Sequence, residues 1–329
     1  MLINLLEYHW VENVDDALLL LNRNETKTLP LAGGTYVLGL QDDTIQALVD
    51  LRDLELAYIS EDARGVHIGA MITLQTMVDS PLLKELAAGL LSRASQASSF
   101  SRLIRESATL GGTLGAGVAS QADLLTALAV LEAEAVVRSA SKTQVNLSAG
   151  TAEHPGLALS GVTFKGKQER RVACNSLSKE RRSNELIIEV AISRPSYTCG
   201  TSFMRIGRTP TDIALLNAAA LVEMRGGVYS QVRLALGGVN MEPVRMHAVE
   251  KQLVGQPVET EARVQNGETN VPIAQIQRAI QAGMADFQLP SDFRASSDYR
   301  RESGTNLAYR TLEEALNISR WRSAAGRNK

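Results

Sequence analysis

The sequence is short of cysteine, of net charge and of long apolar runs. Two cysteines, Cys174 and Cys199, in 329 residues allow at most one disulfide and fall short of the four protein ligands of an iron–sulfur cluster. Such a cluster is therefore not expected on this chain. Lysine and arginine total 34 against 36 aspartate and glutamate, a formal charge of -2, so no net positive field exists to hold a nucleic-acid backbone or an anionic membrane. Glu7 and His9 break the opening, and Glu132 and Glu134 break the apolar stretch from Leu124 to Val137. Neither segment reads as an export signal or a membrane span, which predicts a cytoplasmic chain with free thiols. His9, His67, His154 and His247 are scattered without metal-ligand spacing and, with the two cysteines, read as structural. Neither G-x-G-x-x-G nor G-x-x-x-x-G-K-[ST] occurs, so the Rossmann and P-loop fingerprints are absent.

What is present is a globular composition, 44% apolar and 21% charged, over a length that suggests two domains. Asn13 and the apolar spacing of Val14 to Asn22 predict a capped helix. Thr28 to Ala32, QALVDL and VHIGA predict short strands, Pro81 to Leu103 is helical in pattern, and Ala108 to Ala119 reads as a glycine-rich loop. Asp123 stands where it can cap the next helix. The region Ser139–Asn184 is basic and aperiodic, and the run Lys165–Arg171 reads as a solvated loop or a partner-facing one. Beyond it, ELIIEVAI and GTSFMRIG predict strands. IALLNAAALVEM and VYSQVRLALGG, joined through Gly226 and Gly227, predict a hairpin, with a helix for the first run as the alternative. Asn270 and Pro272 mark a helix start, and the tail after Ser303 is helical, then basic.

Two glycine pairs carry the chemistry. Ala32-Gly33-Gly34-Thr35-Tyr36 follows a strand, and Thr109-Leu110-Gly111-Gly112-Thr113 opens the glycine-rich segment. A glycine pair lets backbone approach a ligand and aim its amide hydrogens at one point. Two such nests suit a pyrophosphate, and ordinary turn glycines are the competing reading.

The order of motifs EYHWVENVDDALLLL, LAGGTYVL, VHIGAMITL, IRESATLGGTLG, ASQADLLTALAVLEAEAVV, SFMRIGRTPTDIALLNAAA, LALGGVNMEPVR and SDFRASSDYRR resembles the FAD-binding medium subunit of the molybdenum hydroxylase family, the group of the xanthine and carbon monoxide dehydrogenases. The likeness runs from about Glu7 to Arg301. It implies an α+β protein: a two-lobed FAD-binding domain of the PCMH type over residues 1–180, split near 60, a C-terminal antiparallel sheet with helices over 181–305, and a tail over 306–329. It further implies noncovalent FAD, held by Ala32, Gly33, Gly34, Thr35 and Tyr36 in the first motif and Thr109, Gly111, Gly112 and Thr113 in the second, with Asp123, Ile187 and Arg205 near the cofactor.

The same resemblance implies partners: a large subunit with a molybdenum cofactor and a small subunit with two 2Fe-2S clusters, in a heterotrimer. The chain would then transfer electrons from those clusters through FAD to an external acceptor, with no residue of its own acting as general acid or base. Three departures stand out. Tyr36 occupies a position usually small or polar, Thr113 replaces an asparagine, and Arg205 replaces a lysine. They leave open a structural subunit that has lost FAD; a second alternative, a free-standing FAD oxidase, is opposed by the absence of an evident acid–base pair near either nest.

Overall fold

The computed structural model describes residues 2–117, 122–140, 168–209, 211–239, 242–258, 274–285 and 287–325. The first lobe is a three-stranded parallel sheet with one helix. β1 (Glu7–Trp10), α1 (Val14–Leu21), β2 (Thr28–Leu31) and β3 (Ala47–Asp50) follow in chain order, and the strands lie in the order β1-β3-β2. The Asn13 side chain accepts from the Asp16 amide at 2.8 Å, which satisfies one of the first-turn donors that α1 leaves open. α1 lays Ala17 and Leu18 on the core side, where they meet Val49 and Leu51. Gly33 and Gly34 follow β2, and a single 3₁₀ turn, Val37–Gly39, ends that segment.

The second lobe is built on a five-stranded sheet. β4 (Ile59–Asp62) and β5 (Gly65–Gly69) form a hairpin, followed by a helical run of α2 (Leu74–Asp79), α3 (Pro81–Glu85), α4 (Leu90–Ser98), α5 (Arg102–Ser107), α6 (Leu110–Ala116) and α7 (Ala122–Val130). β6 (Glu134–Ser139), β7 (Gln168–Ala173), α8 (Leu177–Glu180) and β8 (Glu185–Ile192) complete it, in the strand order β4-β5-β8-β6-β7. β8 lies in the middle of this sheet, paired with both β5 and β6. The chain therefore leaves the sheet after Ile192, beyond the boundary expected at residue 180. Residues 168–171 of the basic run form part of β7: Arg170 pairs with Glu185 at 2.7 Å and Arg171 with Glu134 at 3.1 Å, so this end of the run is not a solvated loop. Its earlier residues, and His154, lie outside the described residues.

The third unit is an antiparallel sheet backed by helices. β9 (Gly200–Ile206), β10 (Leu216–Arg225), β11 (Val228–Gly237) and β12 (Val244–Arg245) lie in the order β12-β11-β10-β9. Gly226 and Gly227 have φ of 60° and 79°, the left-handed pair that a two-residue hairpin needs, and this settles IALLNAAALVEM as strand. α9 (His247–Leu253), α10 (Ala274–Ala285) and α11 (Ser297–Ala325) cover one face. Asn270 and Pro272 lie outside the described residues. α11 is continuous through residue 306, and Leu307, Leu312 and Leu316 are buried against β10, so the tail is part of this core. Each such leucine removed from water contributes about 1.5–3 kcal/mol. The other face of the sheet packs on α7.

The two cysteines are buried and unpaired. Burial pushes the thiol of Cys174 up to about 12 and that of Cys199 to about 11, so neither offers a thiolate near neutral pH. Among the described residues no group of histidine, cysteine and carboxylates is arranged to hold a metal, and no helix is long and apolar enough to cross a membrane.

A polar clasp closes β4, β5 and β8. His67 Nδ1 is 2.8 Å from Glu189 Oε1, its Nε2 is 3.2 Å from Asp62 Oδ1, and the Tyr58 hydroxyl donates to Glu189 Oε2 at 2.7 Å. Hydrogen bonding to Glu189 raises the imidazole pKa above its usual 6.5, burial opposes the shift, and Asp62 adds to it. The stabilisation given by the charged ring is complete below the unfolded-state value and is lost as pH rises through the raised folded value. The difference in melting temperature between the wild type and His67→Gln is therefore expected to be largest below about pH 6.5 and to shrink above it. Melting curves across that range check this; a pH-independent difference would show that the ring is uncharged.

Candidate functional site

The pocket between the lobes assembles from both glycine segments. A cavity of about 330 Å³ is lined by Ala32, Gly33, Gly34, Thr35 and Tyr36 on one side and by Thr109, Gly111, Gly112 and Gly115 on the other, with Ile187 of β8 on its floor. Leu29, Leu40, Leu51, Leu56 and Met71 supply apolar walls. Size and lining fit a pre-formed ligand site, apolar with a few polar groups at one place. Two residues more than seventy positions apart meet directly here, because the Ser107 carbonyl lies where a Gly33 side chain would begin, 1.6 Å from an ideal Cβ. The absence of a side chain at Gly33 thus serves the contact between the two segments.

The glycine segments do different work. In the first, no acceptor among the described residues takes the amide hydrogens of Gly33, Gly34, Thr35 or Tyr36, so four consecutive backbone donors stand free at the pocket. Consecutive free donors of this kind are what an anion cradle is made from, and they do not depend on the side chain at Tyr36. In the second, the segment read as a loop is the helix α6. Thr109 caps it, its Oγ1 accepting from the Gly112 amide at 3.1 Å. Leu110 donates to Ile72 O at 2.9 Å, Gly111 to Ala70 O at 2.8 Å and Thr113 to Thr109 O at 2.9 Å. Its amides are spent inside the protein, and a second nest does not form there. Glycine is nevertheless required at 111, where a Cβ would come 2.7 Å from that of Ala70. Tertiary contact thus overrides the poor helix propensity of this glycine.

Thr113, Asp123 and Arg205 do not line this cavity. Thr113 is buried. Asp123 sits in the first turn of α7, and its carboxylate faces the third unit instead of capping the helix. Asn217 Nδ2 donates to its Oδ1 at 2.5 Å, and Arg205 Nε lies 3.4 Å from its Oδ2. Burial pushes the Asp123 pKa above the usual carboxylate range, while Arg205 and Asn217 favour its ionised form. Arg205 also donates to the Asp212 carbonyl. Sequence reasoning missed Asn217, which has no motif signal beyond lying in the segment that carries the resemblance.

A larger groove, about 640 Å³, opens between the second and third units. Three ion pairs join its lining residues: Glu132 with Arg233 at 2.5 Å, Glu134 with Arg171 at 3.1 Å and Glu223 with Arg225 at 3.2 Å. It contains neither glycine segment.

Two family models match the chain. Residues 4–152 match the FAD binding domain in molybdopterin dehydrogenase, and residues 201–315 match the CO dehydrogenase flavoprotein C-terminal domain. The chain belongs to the FAD-binding medium subunits of the molybdenum hydroxylases. It is an oxidoreductase subunit. Among its relatives, the glyceraldehyde dehydrogenase medium chain of Sulfolobus acidocaldarius is 24% identical over 93% of this chain and 97% of its own length. The carbon monoxide dehydrogenase medium chain of Hydrogenophaga pseudoflava is also 24% identical, over 95% and 96%. A solved carbon monoxide dehydrogenase from the latter organism superposes with a TM-score of 0.77 at 22% identity, covering 97% of this chain and 99% of that one. Quinoline 2-oxidoreductase from Pseudomonas putida 86 gives the same TM-score, identity and coverage. These structures share the α+β fold of this family.

Proposed function

We propose that this chain holds FAD noncovalently in the pocket between its glycine segments and relays electrons from iron–sulfur clusters on a partner subunit to an external acceptor. The observation that carries the reading is the set of four free amide donors at Gly33 to Tyr36, facing an apolar-walled cavity. Consecutive backbone donors suit a pyrophosphate, and the leucines and Ile187 suit flat apolar rings. The residues present therefore fit FAD. When bound, FAD supplies the redox chemistry.

The chain's own residues bind and orient. Gly33 to Tyr36 would donate to phosphate oxygens, α6 forms the opposite wall, and Ile187 would keep water from the rings. The name medium chain, borne by the glyceraldehyde and carbon monoxide dehydrogenase relatives, supports further partner subunits; the reading adds, from the resemblance, a large subunit with a molybdenum cofactor and a small one with two 2Fe-2S clusters, a heterotrimer, and a place in the cytoplasm.

The test is the visible spectrum of the purified chain, with chromatographic identification of any cofactor released by heat. FAD at about one per chain is expected. A colourless protein that takes up no added FAD would overturn the reading in favour of a structural subunit. Substrate turnover by the chain alone would favour a free-standing oxidase.

A further inference from the structure

α7 is gripped at both ends by the third unit. At its start, Asp123 meets Asn217 of β10 and Arg205 of β9. At its end, Arg233 of β11 donates to the Val130 carbonyl at 3.2 Å and Arg245 of β12 to the Ala129 carbonyl at 3.0 Å. These cations meet the helix at its negative pole; Arg233 gives the Val130 carbonyl a donor, and Arg245 adds a second to the Ala129 carbonyl, which also accepts from the Glu132 amide at 3.2 Å. All four strands of the sheet thus contribute one side chain to a nine-residue helix.

The pocket depends on where α7 begins. α6 walls the cavity with Gly111, Gly112, Gly115 and Ala116. Its front is tied by backbone bonds to Ala70 and Ile72. Its rear buries Leu114 in the same core cluster as Leu124, Ala127 and Leu128 of α7, so the placement of α7 limits the placement of that wall. The bond that ties the start of α7 to the sheet most directly is Asn217 to Asp123. Asn217 is held rigidly for it: its Oδ1 accepts from the Thr126 hydroxyl at 2.7 Å, one turn further along α7, and a Cβ on Gly237 would lie only 2.2 Å from that oxygen. Both Asn217 and Asp123 are buried, and a buried hydrogen bond to a carboxylate is strong and directional.

We propose that Asn217 is a positioning residue for the cofactor pocket: by fixing Asp123 and the start of α7, it makes the C-terminal sheet a determinant of how tightly the α6 wall closes on FAD. This rests on the FAD reading above. Asn217→Asp changes almost no volume but sets two buried carboxyls against each other. The charged groups facing them are Arg205 from β9 and Asp123 itself from α7. At acid pH the pair shares a proton and keeps the bond. As pH rises, the second ionisation separates them.

The experiment is FAD titration of the apoprotein by fluorescence quenching, with melting curves of the same apoprotein, for wild type and Asn217→Asp. At about pH 5 the two Kd values are expected to agree, and by about pH 8 the variant is expected to bind about tenfold more weakly while wild type changes little. A variant whose Kd tracks wild type at every pH, even with a lowered melting temperature, overturns the positioning role and leaves the cofactor reading intact. Failure of wild type to bind FAD overturns the cofactor reading itself. Should Asn217→Asp not fold, Thr126→Val decides: it removes one hydroxyl at constant shape, and a Kd weakened about threefold supports the proposal whereas an unchanged Kd overturns it.

Discussion

Valine at Gly33 and Gly112 together is expected to abolish FAD retention, and Gly33 carries most of the effect. A Cβ at 33 would lie 1.6 Å from the Ser107 carbonyl oxygen and 2.6 Å from its carbon. Both are backbone atoms at the end of α5, so the two glycine segments have to move apart. Overpacking of this kind costs about 3 kcal/mol. It also opens the wall opposite the free amides, so binding falls further than stability does. At Gly112 a Cβ would meet Thr109 Oγ1 at 2.8 Å and Ala32 Cβ at 3.6 Å. The damage there is to the cap of α6, about 1 kcal/mol. Urea unfolding of the single Gly33→Ala and Gly112→Ala variants, with visible flavin absorbance after gel filtration, separates the two contributions. Full flavin occupancy in the double valine variant would remove both segments from the site.

Arg300→Met is expected to cause the second large loss, and it acts far from the pocket. Arg300 is buried at 3% exposure. Its Nη1 donates to the carbonyls of Leu215 and Gly238, each at 2.9 Å, and its Nη2 to both carboxylate oxygens of Asp292 at 2.9 Å. Arg294 joins the same knot, donating to the carbonyls of Ile213 and Ala214 at 2.9 and 2.8 Å. The segment pinned in this way leads into β10 just before Asn217. Methionine can fill the stem volume, yet it leaves two carbonyls without a donor at about 1–3 kcal/mol each. Stability should fall by about 3 kcal/mol, and FAD affinity should fall with it, because β10 carries the residue that holds α7. Chemical denaturation measures the first effect and FAD titration of the folded fraction the second. A variant as stable as wild type would mean that water satisfies those carbonyls.

The C-terminal motifs that carry the family resemblance converge on that region. SDFRASSDYRR supplies Asp292, Arg294 and Arg300, LALGGVNMEPVR supplies Gly238 and Arg245, and SFMRIGRTPTDIALLNAAA supplies Arg205 and Asn217. Read one at a time, each motif is a short run of ordinary residues. Their shared task of holding β10 and α7 appears only when the hydrogen bonds are traced.

Local physics made several elements legible in advance. Asn13 caps α1 because its side chain reaches an amide three residues on, and Gly226–Gly227 turns a hairpin because both residues adopt positive φ. Such signals lie within a few positions, and the sequence displays them directly. β8 was legible as a strand but not as the centre of the earlier sheet, because pairing partners more than a hundred residues away leave no mark on its own apolar run. Gly111, Gly112 and Gly115 oppose helix on propensity and so point to a loop at α6, whereas the cap at Thr109 and the bonds to Ala70 and Ile72 outweigh that penalty.

Motif order, apolar period and turn chemistry are written in consecutive residues, so the family, the α+β class and the two glycine segments can be read along the chain. Which segment has amides to offer depends on the folded contacts. Gly33 to Tyr36 keep theirs free, while Leu110 to Thr113 spend theirs within the protein. The folded contacts also turn Asp123 toward Asn217 and Arg205. The physical reason is that a buried donor or acceptor must find a partner, and which one it finds depends on what folding brings within 3 Å or so, whereas Gly33 to Tyr36 are not buried and need none within the chain.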